Sequence, residues 1–448
     1  MKNPQASESA RPKSDVIEGW DPNDEQYWET TAKPIAWRTL WITTYCLLLS
    51  FCTWFMVSAI VVKLTGIGYR FDKSQLFWLN SMPGLAAGSL RIIHTFLIPI
   101  FGTRKTVAVS TLLLIIPSLG WGFAVMNPNT SYATFMILAF LAGLGGGNFS
   151  SFMPSTSLFF PKKLQGTALG IQAGLGNFGV SVAQFLIPVV IGISLVGSGQ
   201  TFKTDQASQT IYLQNAAFVW VPFVLLGALL AWYGLRTVPV RANLREQFDI
   251  FSEKHTWLMT SLYIMTFGSF SGYAAVFPLL IKETYSKFPG GPEPLAYAFL
   301  GPLIGALMRV VAGPFADKLG GARVTHYSAV GLLVCAIGAT FYMNATGLES
   351  WGGFLLFMLG LFFFSGVGNA STFKQMPMIF PPRQAAGVIG WTSAIAAYGP
   401  FVFSVLIGAI IARTGSATLF FYGAAVYYAV NLVINWWFYY RKNAEKPC

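Results

Sequence analysis

The segment Gly147-Asn148-Phe149-Ser150-Ser151-Phe152 returns later in the chain as Gly368-Asn369-Ala370-Ser371-Thr372-Phe373. It does not return alone. Phe160-Pro161 returns as Phe380-Pro381, and the run from Gly170 to Gly179 returns, glycine partly replaced by alanine, from Gly390 to Gly399. Arg91 stands eleven residues before Gly102, as Arg309 stands eleven before Gly320. All these pairs are separated by 218 to 221 residues. One match of this kind arises by chance, but four in register mean that the second half of the chain repeats the first.

What repeats is apolar. Of 448 residues, 54% are hydrophobic, 16% aromatic and only 10% charged, where a soluble chain carries about 25% charged residues. A bilayer-spanning helix takes about 20 apolar residues. Stretches of that kind cover 38–64, 76–98, 105–126, 132–160, 164–195 and 213–236, then 256–283, 295–317, 323–345, 351–381, 386–412 and 417–440. The expected fold is an all-α membrane protein of twelve transmembrane helices in two six-helix repeats. Its parts are a polar segment 1–35, a first bundle 36–236, a linker 237–255 carrying Arg241, Arg245, Glu246, Asp249, Glu253 and Lys254, a second bundle 256–440, and a tail 441–448. Two parallel repeats with a site between them describe a carrier working by alternating access.

The formal net charge of +12 would suggest a nucleic-acid partner in a soluble chain. Here the charges are few and lie between apolar runs, so their meaning is topology and no nucleic acid is expected. With both termini inside, sixteen lysines and arginines fall in cytoplasmic segments, from Lys33 and Arg38 through Arg104, Lys162, Lys163, Arg323 and Arg383 to Lys446. Only Lys63, Arg70, Lys73, Lys203, Lys282, Lys287 and Arg413 fall opposite. That bias places both ends in the cytoplasm. Cys46, Cys52, Cys335 and Cys448 have no paired spacing and read as small hydrophobes, with no disulfide and no metal. No catalytic residue and no cofactor are expected, since three histidines without buried acids make no enzyme site.

Acidic residues are missing from the span centres: Asp72, Asp205, Glu283, Glu293, Asp317 and Glu349 all lie at or beyond helix ends. Two cations remain. Arg91 and Arg309 occupy equivalent places inside the second and eighth helices, each costing about 2.5–3.5 kcal/mol on insertion scales with no acid to offset it. Snorkelling accounts for one arginine near a helix end better than for two related by the repeat. A guanidinium is a permanently charged planar fork, suited to a small planar oxyanion. Tyr263, Phe267, Phe270 and Tyr273 in the seventh helix and Phe149 in the fourth offer walls and a hydroxyl donor, although aromatics this abundant more often pack the core. Gly166, Gly170 and Gly174, spaced by four and followed by Gly176 and Gly179, form a flat strip for close helix approach. Asn177 within that strip carries an amide that needs a partner or a ligand. Lys374 is a third cation near membrane depth, either tuning anion attraction or reaching the surface, and His94 is a buried candidate proton acceptor. The loop Gly313-Pro314-Phe315-Ala316-Asp317-Lys318-Leu319-Gly320-Gly321-Ala322-Arg323-Val324 joins the eighth and ninth helices with turn glycines and an acid able to hold a basic group.

This loop resembles the motif that latches the cytoplasmic gate in the major facilitator superfamily, with Gly313, Asp317, Gly320 and Arg323 as the gating residues; the matching site from Pro99 to Lys105 lacks the acid. Together with the opening Gly19-Trp20-Asp21-Pro22, the motifs make nearly the whole chain similar to the NarK-type nitrate/nitrite porters of that superfamily. The family's two glycine-rich signatures resemble Gly170–Gly179 (with Gly174 and Gly176) and Gly390–Gly399, the second departing at Trp391, Tyr398 and Pro400. The resemblance implies that Arg91 and Arg309 are the substrate arginines, with Tyr263, Phe267, Phe149 and Asn177 completing the pocket. It implies transport of nitrate and nitrite across a bacterial inner membrane by a monomer surrounded by lipid. Members include exchangers and proton symporters, and the lack of embedded acids favours exchange, with nitrate–proton symport the alternative.

Overall fold

The computed structural model describes residues 15–203, 208–239 and 249–448, apart from the side chains of Pro382, Arg383 and Ala386. Asp205, Arg241, Arg245 and Glu246, together with the Arg383 side chain, lie outside the described residues. The membrane helices are α1 Lys33–Leu64, α2 Lys73–His94, α3 Leu97–Met126, α4 Tyr132–Ser157, α5 Lys162–Val190, α6 Asn215–Gly234, α7 Lys254–Thr284, α8 Pro294–Leu319, α9 Gly321–Thr340, α10 Trp351–Ile379, α11 Gly387–Thr414 and α12 Thr418–Asn435. Between α5 and α6 stands an antiparallel hairpin, β1 Gln200–Lys203 and β2 Ser208–Ile211.

Eleven of these stretches are long and apolar enough to cross a membrane among the described residues. The twelfth is α2. Its 22 residues reach about 33 Å at 1.5 Å per residue, enough for a hydrocarbon core of about 30 Å. What lowers its apolar character is the cargo it carries inward, Asn80, Ser81, Arg91 and His94, all buried. A capping box starts it, with the Asp72 side chain accepting from the Gln75 N–H and the Gln75 side chain accepting from the Asp72 N–H.

The repeat seen in the sequence is repeated in backbone geometry. Gly102 and Gly320, each eleven residues after a buried arginine, have φ of +76° and +91°, a region that costs side chains dearly and glycine little. Gly102 kinks α3 near its start, and Gly320 turns the chain from α8 into α9. The N-terminal segment differs from expectation: helix starts at Glu25 and runs through a π-turn at Trp28–Ala32 into α1. Trp20 donates its indole N–H to the Leu158 carbonyl at 3.1 Å, and Trp28 is buried against Phe160. The polar segment is therefore docked from residue 20 onward, because three aromatic side chains at 20, 27 and 28 find an apolar seat.

Both described terminal segments lie at one pole. Ile17 donates to the Thr237 carbonyl at 2.8 Å beyond α6, and Ala322 at the start of α9 donates to the Cys448 carbonyl at 3.0 Å. An even number of crossings requires this. At the opposite, distal pole the first and second sets of six helices are tied together. Lys63 pairs with Glu293 at 2.5 Å and Lys73 with Glu283 at 2.8 Å, while Lys282 donates to the Val62 carbonyl and the Thr65 hydroxyl, both at 2.9 Å. Phe202 of β1 lies beneath the Lys63 ammonium at 4.7 Å from the ring centre.

Candidate functional site

The site begins with a register. α2 and α11 lie against each other along their length: Asn80 donates to Ser404 at 3.1 Å, an added Cβ on Gly84 or Gly88 would strike Pro400 or Tyr398, and Arg91 donates to the Ser393 carbonyl at 2.7 Å. The large residues Tyr398 and Pro400, which depart from the small-residue pattern of the second signature, thus fill the notches left by the α2 glycines. Ser89 and the Tyr398 hydroxyl share a further hydrogen bond of 2.9 Å.

Arg91 is wholly buried. Its Nε donates to the Gly146 carbonyl at 2.9 Å and its Nη1 to Ser393, while Nη2 is buried and unpartnered. Three rings surround the guanidinium: Phe149 at 4.6 Å, Phe267 at 5.1 Å and Trp54 at 5.7 Å. Arg309 is 6% exposed, lies 5.4 Å from the Phe373 ring, and has a buried, unpartnered Nη1. Among the described residues neither arginine meets a carboxylate within ion-pair distance. The Tyr263 hydroxyl is buried as well, makes no hydrogen bond of standard geometry, and stands near both guanidinium groups.

The aromatic wall is continuous. Phe149 stacks on Phe267 with centroids 6.3 Å apart, Phe267 on Tyr263 at 5.6 Å, and Tyr263 touches Phe373 at 5.8 Å. A π-helical turn at Ile264–Gly268 follows Tyr263 and includes Phe267, an insertion of the kind that concentrates at functional sites. Five of the six expected pocket residues, Arg91, Arg309, Tyr263, Phe267 and Phe149, are thus joined by one chain of contacts. The sixth, Asn177, is 1% exposed with both amide atoms unpartnered. Trp54, Phe373 and the carbonyl groups of Gly146 and Ser393 were not singled out from the sequence. Only Phe373 carried a signal, as the repeat partner of Phe152, since backbone acceptors have no sequence signature.

Other expectations resolve differently. Phe270 packs on Phe362, and Tyr273 shares a 2.8 Å hydrogen bond with Tyr428, so that end of the α7 aromatic row is core. His94 is bonded to Ser151 at 2.9 Å. Lys374 does not face the arginines: its ammonium pairs with Asp317 at 2.5 Å, both side chains about half exposed. Asp317, expected in a loop, instead lies in the last turn of α8 and holds a base from α10. Of the signature glycines, Gly176 and Gly179 press against Leu47 and Leu48 of α1, and Gly399 against the Gly268 carbonyl. Gly174 meets Val310, while a Cβ at Gly166, Gly170 or Gly313 would meet nothing within 4 Å, and one at Gly390 only Thr95 at 3.9 Å. The flat strip expected over Gly166–Gly174 is in contact at one end only, because α5 and α8 part toward the terminal pole.

The Major Facilitator Superfamily model matches residues 43–377. A probable nitrate/nitrite antiporter, NarK2, of Thermus thermophilus is 63% identical over 96% of this chain and 98% of its own length. The nitrate/nitrite transporters NarU of Salmonella typhimurium and Escherichia coli are 37% and 36% identical, covering 96% and 95% of this chain and 97% and 96% of theirs. With twelve helices in two repeats and relatives of this closeness over nearly its full length, the chain belongs to the NarK-type nitrate/nitrite porter family of the major facilitator superfamily.

Proposed function

We propose that this protein exchanges nitrate for nitrite across a bacterial inner membrane, as a monomer with both termini in the cytoplasm. One observation carries the reading. Two buried arginines, one from each repeat, present unpartnered N–H groups beside a shared aromatic wall, and among the described residues no carboxylate pairs with either. An uncompensated buried cation is costly, and a pair in one slot calls for an anion. The Phe149 and Phe267 rings lie nearly parallel, 26° apart, beside the Arg91 guanidinium, and flat faces of this kind suit a flat monovalent oxyanion. Arg91, Arg309, Tyr263 and Asn177 donate to it, and Phe149 and Phe267 wall it. The 63% identical relative is called an antiporter, in agreement with the absence of acids from the span centres. The first bundle, 36–236, and the second, 256–440, rock about the slot, with the linker 237–255 joining them on the cytoplasmic side. Gly313, Gly320 and Arg323 shape the cytoplasmic latch that Asp317 makes with Lys374. This is transport and not catalysis.

The test uses purified protein in lipid vesicles. Internal nitrite should accelerate nitrate uptake strongly, a pH gradient alone should not drive it, and sulfate at equal concentration should compete poorly. Concentrative nitrate uptake into nitrite-free vesicles driven by a pH gradient alone would establish proton symport instead.

A further inference from the structure

Asn369 of α10 is 1% exposed, and both its amide nitrogen and its amide oxygen lack a hydrogen-bond partner. A buried polar atom left unmatched is destabilising, and this side chain leaves two. Its repeat counterpart shows that the amide is not needed for packing alone: Asn148 of α4 stands in the same slot and donates to the Ser50 hydroxyl at 2.8 Å. Other amides around α10 are engaged, with Gln375 donating to Asn435 at 3.1 Å and Asn435 to the Ala322 carbonyl at 2.8 Å. Asn369 differs in that neither of its amide atoms is engaged.

The direction of its side chain follows from helix periodicity. On α10, Phe362, Gly366, Asn369 and Phe373 follow at intervals of four, three and four, so they share one face. Phe362 touches Phe270, Gly366 abuts the Gly305 backbone, and Phe373 touches Tyr263 and lies beneath the Arg309 guanidinium. Gly305 and Arg309 are one turn apart on α8, and α8 and α10 run in the same direction. Asn369 therefore lies between Gly366, where α10 meets α8, and Phe373, which reaches Tyr263 and Arg309.

We propose that Asn369 is a further ligand of the transported oxyanion, its amide N–H donating to an anion oxygen beside Arg309. The second half then mirrors the first in chemistry though not in repeat position: each contributes one guanidinium and one free amide, Arg91 with Asn177 and Arg309 with Asn369. An anion gripped equally by both halves couples their movement, because neither half can release it while the other opens. This proposal rests on the anion-exchange reading above.

The experiment compares the parent with Asn369→Leu, of similar volume but without polar atoms, and with Asn369→Ala, in nitrate/nitrite counterflow and in nitrate-dependent thermal shift. Loss of a hydrogen bond to a charged ligand predicts an apparent KM for nitrate about tenfold higher in both variants, with maximal counterflow within about twofold of the parent. The nitrate-induced shift should shrink, while Asn369→Leu without nitrate melts no lower than the parent, since two orphaned atoms have left a buried site. Asn369→Asp places a carboxylate beside Arg309 and should abolish binding. A parent-like KM and an undiminished nitrate shift in either Asn369→Leu or Asn369→Ala would overturn the proposal. A parent that shows neither counterflow nor a nitrate-dependent shift would instead overturn the exchange reading on which it stands.

Discussion

At the scale of the residue, the question is why the cations are arginines. Arg91 uses Nε and Nη1 to hold two carbonyl groups, those of Gly146 and Ser393, and still has Nη2 free. Lysine has one nitrogen on a flexible stem and cannot brace itself and present a directed donor together. Arg91→Lys is expected to leave membrane insertion intact and to lower nitrate counterflow about tenfold or more, the equivalent of one lost charge-assisted hydrogen bond. Arg309→Lys should behave alike, because Nη1 would vanish from above Phe373. Near-normal uptake by either variant would remove that arginine from the slot. Both arginines were legible in the sequence, since a charge inside an apolar run stands out. What braces Arg91 was not, because carbonyl oxygens belong to every residue.

At the scale of the element, two devices oppose each other across the slot. On α5 and α8 the contacts Ser181 to Phe299 and Gly174 to Val310 set an antiparallel register that places Gly170 opposite Gly313. Neither glycine has a neighbour within 4 Å in Cβ position, so no side chain stops these helix ends from meeting when the terminal pole closes. Gly170→Leu displaces nothing here and should fold as the parent, yet overpack the closed form at a cost of about 1–3 kcal/mol and slow exchange about tenfold. Unimpaired exchange in that variant would mean that closure does not run along this strip. At the distal pole, Lys63 and Lys73 belong to the first half and Glu293 and Glu283 to the second, so opening that pole separates both pairs. Removing a partly exposed pair is worth up to about 1 kcal/mol. Glu293→Gln should raise the rate at which a membrane-impermeant maleimide labels a cysteine placed at Ala275 about fivefold. An unchanged rate would show that the pair does not hold the pole shut.

At the scale of the molecule, the same electrostatics decides the transport mode. Closing an empty slot brings two guanidinium groups together without a counter-charge. At about 8 Å and an effective dielectric constant near 20 the repulsion is about 2 kcal/mol. If that falls fully on the barrier, the empty carrier returns about thirtyfold more slowly than the loaded one. Internal nitrite should therefore speed nitrate uptake by about that factor, and 1 M salt should not erase the difference, because a buried pair is poorly screened. Equal rates with and without internal anion would contradict the account. The Lys63–Glu293 and Lys73–Glu283 pairs stand at the distal pole, outside this slot, so they bias that pole toward closure without neutralising the site.

The residues alone determined the membrane class, the twelve helices, the repeat and the two arginines. Each of these is a one-dimensional signal: an apolar run, a recurrence at fixed offset, or a charge where charges are expensive. The sequence also named Tyr263, Phe267 and Phe149, though only the resemblance separated them from the many aromatics around them. Tertiary structure alone decided which glycines pack and which face open space, since Gly170 and Gly179 look alike until α8 and α1 are placed beside them. It decided that Lys374 belongs to Asp317, that the chain from residue 20 onward docks through its tryptophans, and that Asn148 is satisfied where Asn369 is not. The reason is physical. A hydrogen bond or a steric contact is a property of two positions far apart in the chain, and its presence at one copy of a repeat and absence at the other appears only when both partners have been brought into place.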